Sequence, residues 1–260
     1  MSEKTIPARP LPEAESALIA RVDEHKGELV ELLKKLVAID SRVVNLETFS
    51  DQSRIFALVE AFMKEAGAKC EYYRCPHLHG PATGKQSWPS LIAAAGEGGG
   101  KTLQFCGHLD VVPFTPESWV TDPLVAVEKD GKVKLPEGFR NLQKDIWKDR
   151  WEAFLLEHPF DVELSVISST PGTFEDPNRP FSQLLSEAFE DVYHVKAVHF
   201  FAPGSSDAVF FRGGGIKDVV LFGPTGGHMH DANEFVDIGD LVRTCKVYLL
   251  VAYRMLCKTT

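Results

Sequence analysis

Residues 102–113 read TLQFCGHLDVVP, and this stretch decides the predicted fold. Its first half, residues 102–106, is a short apolar run typical of a buried strand. The run leads directly into His108 and, two residues later, Asp110. In open α/β sheets, ligands bind at the carboxyl ends of the strands. The stretch therefore predicts a buried strand with a histidine and a carboxylate at its ligand-binding end.

Helical and strand patterns alternate along the rest of the chain. Apolar residues recur at helical spacing in residues 18–37, 50–67, 141–157, 181–192, 207–212 and 241–256. Short strand-like runs fall at residues 69–74, 90–95, 160–167, 197–201 and 219–222. This alternation predicts an α/β fold with a doubly wound, largely parallel sheet.

The charge balance and the cysteines exclude several classes of function. The 260 residues carry a formal net charge of -9, so neither a nucleic acid nor an anionic membrane surface is an expected partner. The N-terminus lacks the apolar core of a signal peptide, and no run approaches the roughly 20 apolar residues of a membrane span. The five cysteines form no CxxC pair, which favours reduced thiols. We therefore expect a cytoplasmic protein that acts on a small molecule.

A second polar segment follows another predicted strand. Residues 222–234 read FGPTGGHMHDANE. His228 and His230 form an HxH pair, but the HxxNE pattern that begins at His230 is the favoured one. A neutral imidazole binds Zn²⁺ through one nitrogen while the other donates to a carboxylate, and Asp110 is placed to be that partner for His108. From the residues alone, the second segment is either part of a metal site or a solvated polar loop.

The two motifs together resemble one family of enzymes. GHLDVVP at residues 107–113, followed by GP and HxxNE within residues 223–234, resembles acetylornithine deacetylase, succinyl-diaminopimelate desuccinylase, aminoacylase and carboxypeptidase G. The likeness extends to residues 119–133 and to the G-x-S-D stretch at residues 204–207. It implies a phosphorylase/hydrolase-like catalytic domain with an inserted lid domain. It also implies zinc-dependent hydrolysis of the amide bond in an N-acyl amino acid or a small peptide.

The resemblance assigns roles to four residues. It implies that His108 binds one zinc ion and His230 the other, with cobalt as an alternative metal, and that Asp110 orients the His108 ring. Ser205 resembles a position that contacts the substrate carboxylate in some members. The implied partner is therefore an N-acyl amino acid or a dipeptide.

The chain departs from the family after Val133. The stretch that carries the metal-bridging aspartate is missing, as is the Glu-Glu pair that supplies the general base, and residues 134–138 (KLPEG) follow at once. The expected parts are the two halves of a catalytic domain at residues 12–133 and 169–260, separated by a lid remnant at residues 134–168. Because loss of a positioned base alone costs about 10²–10⁴-fold in rate, we expect impaired activity.

Other interpretations stay open. The chain is alternatively a non-catalytic binding or assembly module that keeps the hydrolase fold, or an incomplete gene model of an ordinary enzyme. A catalytic zinc takes three protein ligands plus a water. The carboxylates available to complete such a site are Asp110, Asp122, Asp207 and Glu234. The lid remnant would expose Trp147, Trp151 and Phe154, and because such patches mark association surfaces, a homo-oligomer is a further hypothesis.

Overall fold

A computed structural model describes residues 5–43, 52–76, 87–96, 98–114, 116–134, 175–200 and 206–257. The helices in these ranges are α1 (Glu13–Glu24), α2 (Lys26–Val37), α3 (Ser53–Glu65), α4 (Pro180–Tyr193), α5 (Ala208–Gly213) and α6 (Ile238–Leu256), with a 3-10 turn at Pro116–Ser118. The strands are β1 (Lys69–Pro76), β2 (Ser87–Ala94), β3 (Glu128–Lys129), β4 (Lys132–Lys134), β5 (Gly226–Gly227) and β6 (Phe235–Asp237). None of these helices combines the length and the apolar composition that a bilayer crossing requires.

The helix predicted over residues 18–37 is two helices, so that prediction was wrong in its continuity. α1 and α2 meet at His25, whose φ of -98° and ψ of 11° lie outside the helical range. Gly27 lies two positions later, in the first turn of α2, and glycine is a weak helix former that does little to continue the first helix through this point. The predictions for α3, α4 and α6 are confirmed, and Gly67 after α3 has a φ of +84°, as expected for a left-handed cap.

The fold mixes helix and sheet, but the predicted doubly wound, largely parallel sheet is not confirmed. β1 pairs with β2 in an antiparallel ladder, and a second antiparallel sheet has the strand order β3-β4-β6-β5. Residues 102–106 and 219–222, predicted as strands, form no ladder with any described strand. A parallel sheet needs neighbouring strands that share backbone hydrogen bonds. In the described ranges, parallel pairing is limited to an isolated bridge between Arg42 and Val111.

Part of the sequence prediction cannot be compared with the structure. The predicted helix at residues 141–157 and the predicted strand at residues 160–167 lie outside the described residues. Most of the expected lid remnant therefore lies outside them as well.

The main core is a helical layer formed by α1, α4 and α6. Its buried members are Leu185 and Ala188 of α4 and Val247, Leu250 and Val251 of α6. Leu103, Val220 and Phe222 pack against this cluster. Residues 102–110 and 219–224 are called the motif segments below. Both motif segments therefore rest on the helical layer.

A buried ion-pair network joins the three helices of this layer. Arg254 of α6 donates to Glu15 of α1 at 3.1 and 2.6 Å and to Asp191 of α4 at 2.6 Å. The three side chains are at most 8% exposed. Arg9, from the N-terminal arm, adds two further bonds to Asp191 at 2.8 and 2.6 Å. The network therefore joins the N-terminal arm to the layer and joins α1, α4 and α6 to one another.

Candidate functional site

His108 lies at the end of the first motif segment, on the surface of the helical layer. Leu103 of this segment packs against the buried cluster, and the ring of Phe105 lies 5.2 Å from that of Tyr248 in α6. These contacts hold the segment against the helices. The His108 side chain is 69% exposed, so the candidate site opens to solvent.

The His108 ring is held by Asp110. His108 Nδ1 lies 2.7 Å from the backbone oxygen of Asp110 and 3.4 Å from its Oδ1. The Asp110 carboxylate raises the pKa of His108 to about 9, against the opposing effect of desolvation and with help from the Asp110 backbone oxygen and the charge of Asp207. The same contact lowers the pKa of Asp110. Because Nδ1 faces Asp110, Nε2 is the nitrogen directed to a ligand.

Asp207 acts on the first motif segment through its charge. It precedes α5 and contributes to raising the pKa of both His108 and the Cys106 thiol, although burial is the larger cause for Cys106. Asp122, another carboxylate considered from the sequence, instead accepts the backbone N–H of Leu124 at 2.9 Å. Asp110 and Asp207 are therefore the two carboxylates that influence His108.

His230 lies in the hairpin loop between β5 and β6, at residues 228–234. The two strands approach closely because β5 consists of glycines. A Cβ added at Gly227 would lie 2.7 Å from the Phe235 ring, and a Cβ at Gly226 would collide with the Phe235 backbone oxygen. Gly226 is thus required for the pairing that presents the His230 loop, whereas a side chain at Gly227 would require the Phe235 ring to move.

The backbone of this loop adopts an unusual conformation. His228, His230 and Asn233 have φ angles of 58°, 61° and 65°. Non-glycine residues in this left-handed region are uncommon, although asparagine and histidine are enriched there. Three such residues within six positions need surrounding contacts to hold them.

A hydrogen bond joins the His230 loop to the residues that follow the first motif. The N–H of Val120 donates to Oδ1 of Asn233 at 3.0 Å, across 113 positions of sequence. Beside it, Trp119 is only 9% exposed, and its ring meets that of Phe114 edge-on at 6.2 Å. Sequence reasoning missed this role of Asn233, since its only signal was the asparagine of the HxxNE pattern.

A cavity of about 420 Å³ lies beside Trp119 and Val120. Arg42 and Phe114 also line it, and the Arg42 guanidinium carbon lies 4.4 Å from the centre of the Phe114 ring. Asp40 binds this guanidinium through two bonds of 2.8 and 2.6 Å. The Arg42 charge is therefore already paired, and the rings of Phe114 and Trp119 form part of the cavity wall.

The described residues do not supply a complete metal centre. Within the described ranges, no group of three or more His, Cys, Asp or Glu side chains lies close enough together to hold an ion. The structure brings His108 and Asp110 together, but it does not join His108 and His230 in such a group. Ser205 lies outside the described residues. Because a catalytic zinc takes three protein ligands, the described donor set does not fit one by itself.

Comparison with known proteins shows which family part of the chain is similar to. Residues 142–254 match the sequence model of the peptidase family M20/M25/M40. The chain is 32% identical over 106 residues to the acetylornithine deacetylase of Photorhabdus laumondii, a match that covers 40% of this chain and 25% of that protein. It is also 32% identical over 121 residues to the Beta-Ala-His dipeptidase of Rattus norvegicus, covering 45% of this chain and 25% of the relative.

Among solved structures, human carnosine dipeptidase 1 matches 47% of this chain and 27% of its own, at 28% identity and a TM-score of 0.39. That TM-score is too low to establish a shared fold. The chain spans about a quarter of the length of the acetylornithine deacetylase and the rat dipeptidase. The family match includes His230 and excludes His108. The resemblance inferred from the two motifs is nevertheless confirmed: the chain is similar to M20 metallopeptidases and is, by that resemblance, a metallo-amidohydrolase.

Proposed function

We propose that this protein is a metal-dependent hydrolase of amide bonds in N-acyl amino acids or small peptides. Zinc is the proposed metal, with cobalt as an alternative. The names of the relatives, a deacetylase of acetylornithine and a dipeptidase of Beta-Ala-His, support this substrate class. We also propose the division into catalytic halves at residues 12–133 and 169–260, with a lid remnant at residues 134–168 between them.

The contact between His108 and Asp110 is the observation that carries the proposal. Nδ1 of His108 donates to the backbone oxygen of Asp110 at 2.7 Å. This bond fixes the ring tautomer and orientation, and Nε2 is the nitrogen available to a metal. Metal-binding histidines are commonly held by a carboxylate or a backbone carbonyl in this way. The proposed roles are metal ligands for His108 and His230, ring orientation for Asp110 and substrate contact for Ser205.

We propose that hydrolysis by this chain is impaired. Within the described residues, no group of three or more His, Cys, Asp or Glu side chains could hold a metal ion, and the sequence lacks the Glu-Glu pair of the family. A positioned general base contributes about 10²–10⁴-fold to rate. The expected activity is therefore lower than that of a complete enzyme by at least this factor.

The test is hydrolysis of N-acetylornithine and of β-Ala-His by the full chain, with Zn²⁺ or Co²⁺ added. We expect slow, metal-stimulated release of acetate or of free histidine. His108→Ala should abolish it, and Asp110→Asn should lower the rate about tenfold or more, because partners that orient a metal ligand are typically worth 10–100-fold.

A matched histidine elsewhere provides the control for this test. His25 also pairs with a carboxylate, Glu28, at 2.9 Å, and both side chains are exposed. His25→Ala should leave any turnover unchanged. Turnover that survives His108→Ala, or that falls equally in His25→Ala, would contradict the proposal.

A second candidate function is a non-catalytic binding or assembly module. The observation that favours it is the lack of a three-donor metal group in the described part of the chain. Calorimetry with N-acetylornithine separates the two functions. Saturable binding without hydrolysis under any metal supports the module, whereas metal-stimulated release of acetate supports the enzyme.

We further propose a cytoplasmic location and self-association. Cys70, Cys106, Cys245 and Cys257 are free thiols, which supports a reducing compartment. Apolar side chains such as Val198 and Leu221 are 71% and 60% exposed, which supports an association surface. Cell fractionation and light scattering on the purified chain test these two proposals.

A further inference from the structure

We propose that Asn233 is a positioning residue, which fixes the His230 loop to the residues that follow His108. It acts through one hydrogen bond, from the N–H of Val120 to its side-chain Oδ1 at 3.0 Å. The proposal rests on the proposed function in one respect only, namely that His108 and His230 serve the same site. The contact itself is a property of the protein without metal or substrate.

The Val120 side chain does not hold the His230 loop, because it is largely exposed. The Val120 side chain is 79% exposed, whereas its neighbour Trp119 is 9% exposed. The backbone at this point is thus fixed on one side by the buried Trp119 ring. On the other side it is free to bond outward, and that bond goes to Asn233. The asparagine therefore attaches the His230 loop to a segment that is anchored by the buried Trp119.

The conformation of Asn233 suits this role. Its φ of 65° is in the left-handed region, where asparagine is tolerated better than most residues. Hydrogen bonds inside the loop, from Asp231 N–H to His228 O at 2.7 Å and from Glu234 N–H to Asp231 O at 3.2 Å, shape the turn but do not reach the rest of the protein. The bond from the Val120 N–H to Asn233 connects the loop to the segment that follows the first motif.

The attachment also reaches the cavity. Val120 and Trp119 line it together with Arg42 and Phe114. A shift of the His230 loop would therefore move a wall of the cavity, and the cavity and the loop are expected to change together. Asn233 therefore links the His230 loop to the residues that follow His108, which lie 113 positions away in the sequence.

Two variants at the same position separate the hydrogen bond from the backbone conformation. Asn233→Asp keeps an acceptor oxygen and tolerates a positive φ. Asn233→Gly adopts the positive φ at no steric cost but has no acceptor. The measurement is amide hydrogen exchange at Val120 by NMR, together with the ring shifts of His230, in the full chain without metal or substrate.

We expect Asn233→Gly to speed exchange at the Val120 amide about tenfold, the size typical for loss of a single hydrogen bond, and to shift the His230 ring signals. Asn233→Asp should stay within about twofold of the native rate. Equal Val120 exchange in the native chain and in Asn233→Gly would overturn the proposal. So would an Asn233→Asp variant that exchanges as fast as the glycine variant.

A control at the β3–β4 turn of the same four-stranded sheet accounts for general effects of glycine. Asp130 lies between β3 and β4 with a φ of 53°, and Asp130→Gly should leave Val120 exchange and the His230 signals unchanged. The outcome is independent of hydrolysis. If no substrate is cleaved but Asn233→Gly behaves as expected, the proposed function fails and the positioning role stands. If the substrate is cleaved but Asn233→Gly leaves Val120 exchange unchanged, the positioning role fails and the proposed function stands.

Discussion

The helical layer and the motif segments differ in how their backbones find hydrogen bonds. Leu250 in the layer is fully buried, whereas Leu221 in the second motif segment is 60% exposed. A helix satisfies its backbone groups within its own residues, so an amphipathic helix forms wherever one face can be covered. A strand depends on neighbouring strands for its bonds. The difference teaches that, within the described residues, helices form from local sequence, whereas strand-like segments such as residues 219–222 are left without a ladder.

The ion-pair network offers the largest test of the helical layer. In Arg254→Ala, the carboxylates of Glu15 and Asp191, which are 1% and 4% exposed, lose the cation that joins them. Removing one partner of a buried ion pair costs about 3–5 kcal/mol. We expect a loss of this size in the free energy of unfolding, measured by urea denaturation.

Arg21→Ala is the matched control for that variant. Arg21 pairs with Glu24 at 3.0 Å, with both side chains more than half exposed, and exposed pairs contribute about 0–1 kcal/mol. If the two variants destabilise the protein equally, the three helices are not joined by Arg254 and the layer is not the stable part of the molecule.

The same deletion in both regions tests the comparison directly. Leu250→Ala removes a fully buried side chain from the layer and should cost about 2–5 kcal/mol. Leu221→Ala removes an exposed side chain from a motif segment and should stay within about 0.5 kcal/mol. Both values come from urea denaturation curves. A cost above about 2 kcal/mol for Leu221→Ala would show that the second motif segment is packed more firmly than its exposure indicates.

The helical layer was predictable because its signal is local. The spacing of apolar residues identified α4 and α6, and Gly67 marked the end of α3. The break at His25 was missed because apolar periodicity continues through it. The parallel sheet was inferred from segments such as residues 219–222, whose composition suits a strand. Whether such a segment finds a partner depends on distant residues, which no local pattern reveals.

In the candidate site too, contacts between residues close in sequence were predictable and contacts between distant residues were not. His108 and Asp110 lie two positions apart, so their contact could be expected from the sequence. The bond from Val120 to Asn233 spans 113 positions, and nothing in either segment points to the other. The left-handed backbone of His228 and His230 was also missed, because no glycine marks it.

The smallest expected effect concerns the ionisation of His108. NMR titration of its ring should give a midpoint near pH 9, because the contact with Asp110 raises its pKa from 6.5 to about 9. In Asp110→Asn the midpoint should fall toward 6.5 and remain above it, since the backbone oxygen of residue 110 and the charge of Asp207 still act on the ring. A raised folded pKa stabilises the folded state below about pH 6.5 and loses this contribution as pH rises through 9.

Asp207→Asn sharpens the same measurement, since it removes only the minor contribution and should lower the midpoint less than Asp110→Asn does. The linked prediction is that metal binding at His108 strengthens as pH rises toward 9, because the imidazole must lose its proton to bind. A native midpoint near 6.5, or one that Asp110→Asn leaves unchanged, would mean that the exposed motif segment does not hold the two side chains together. The contrast with the helical layer would then extend to the site itself.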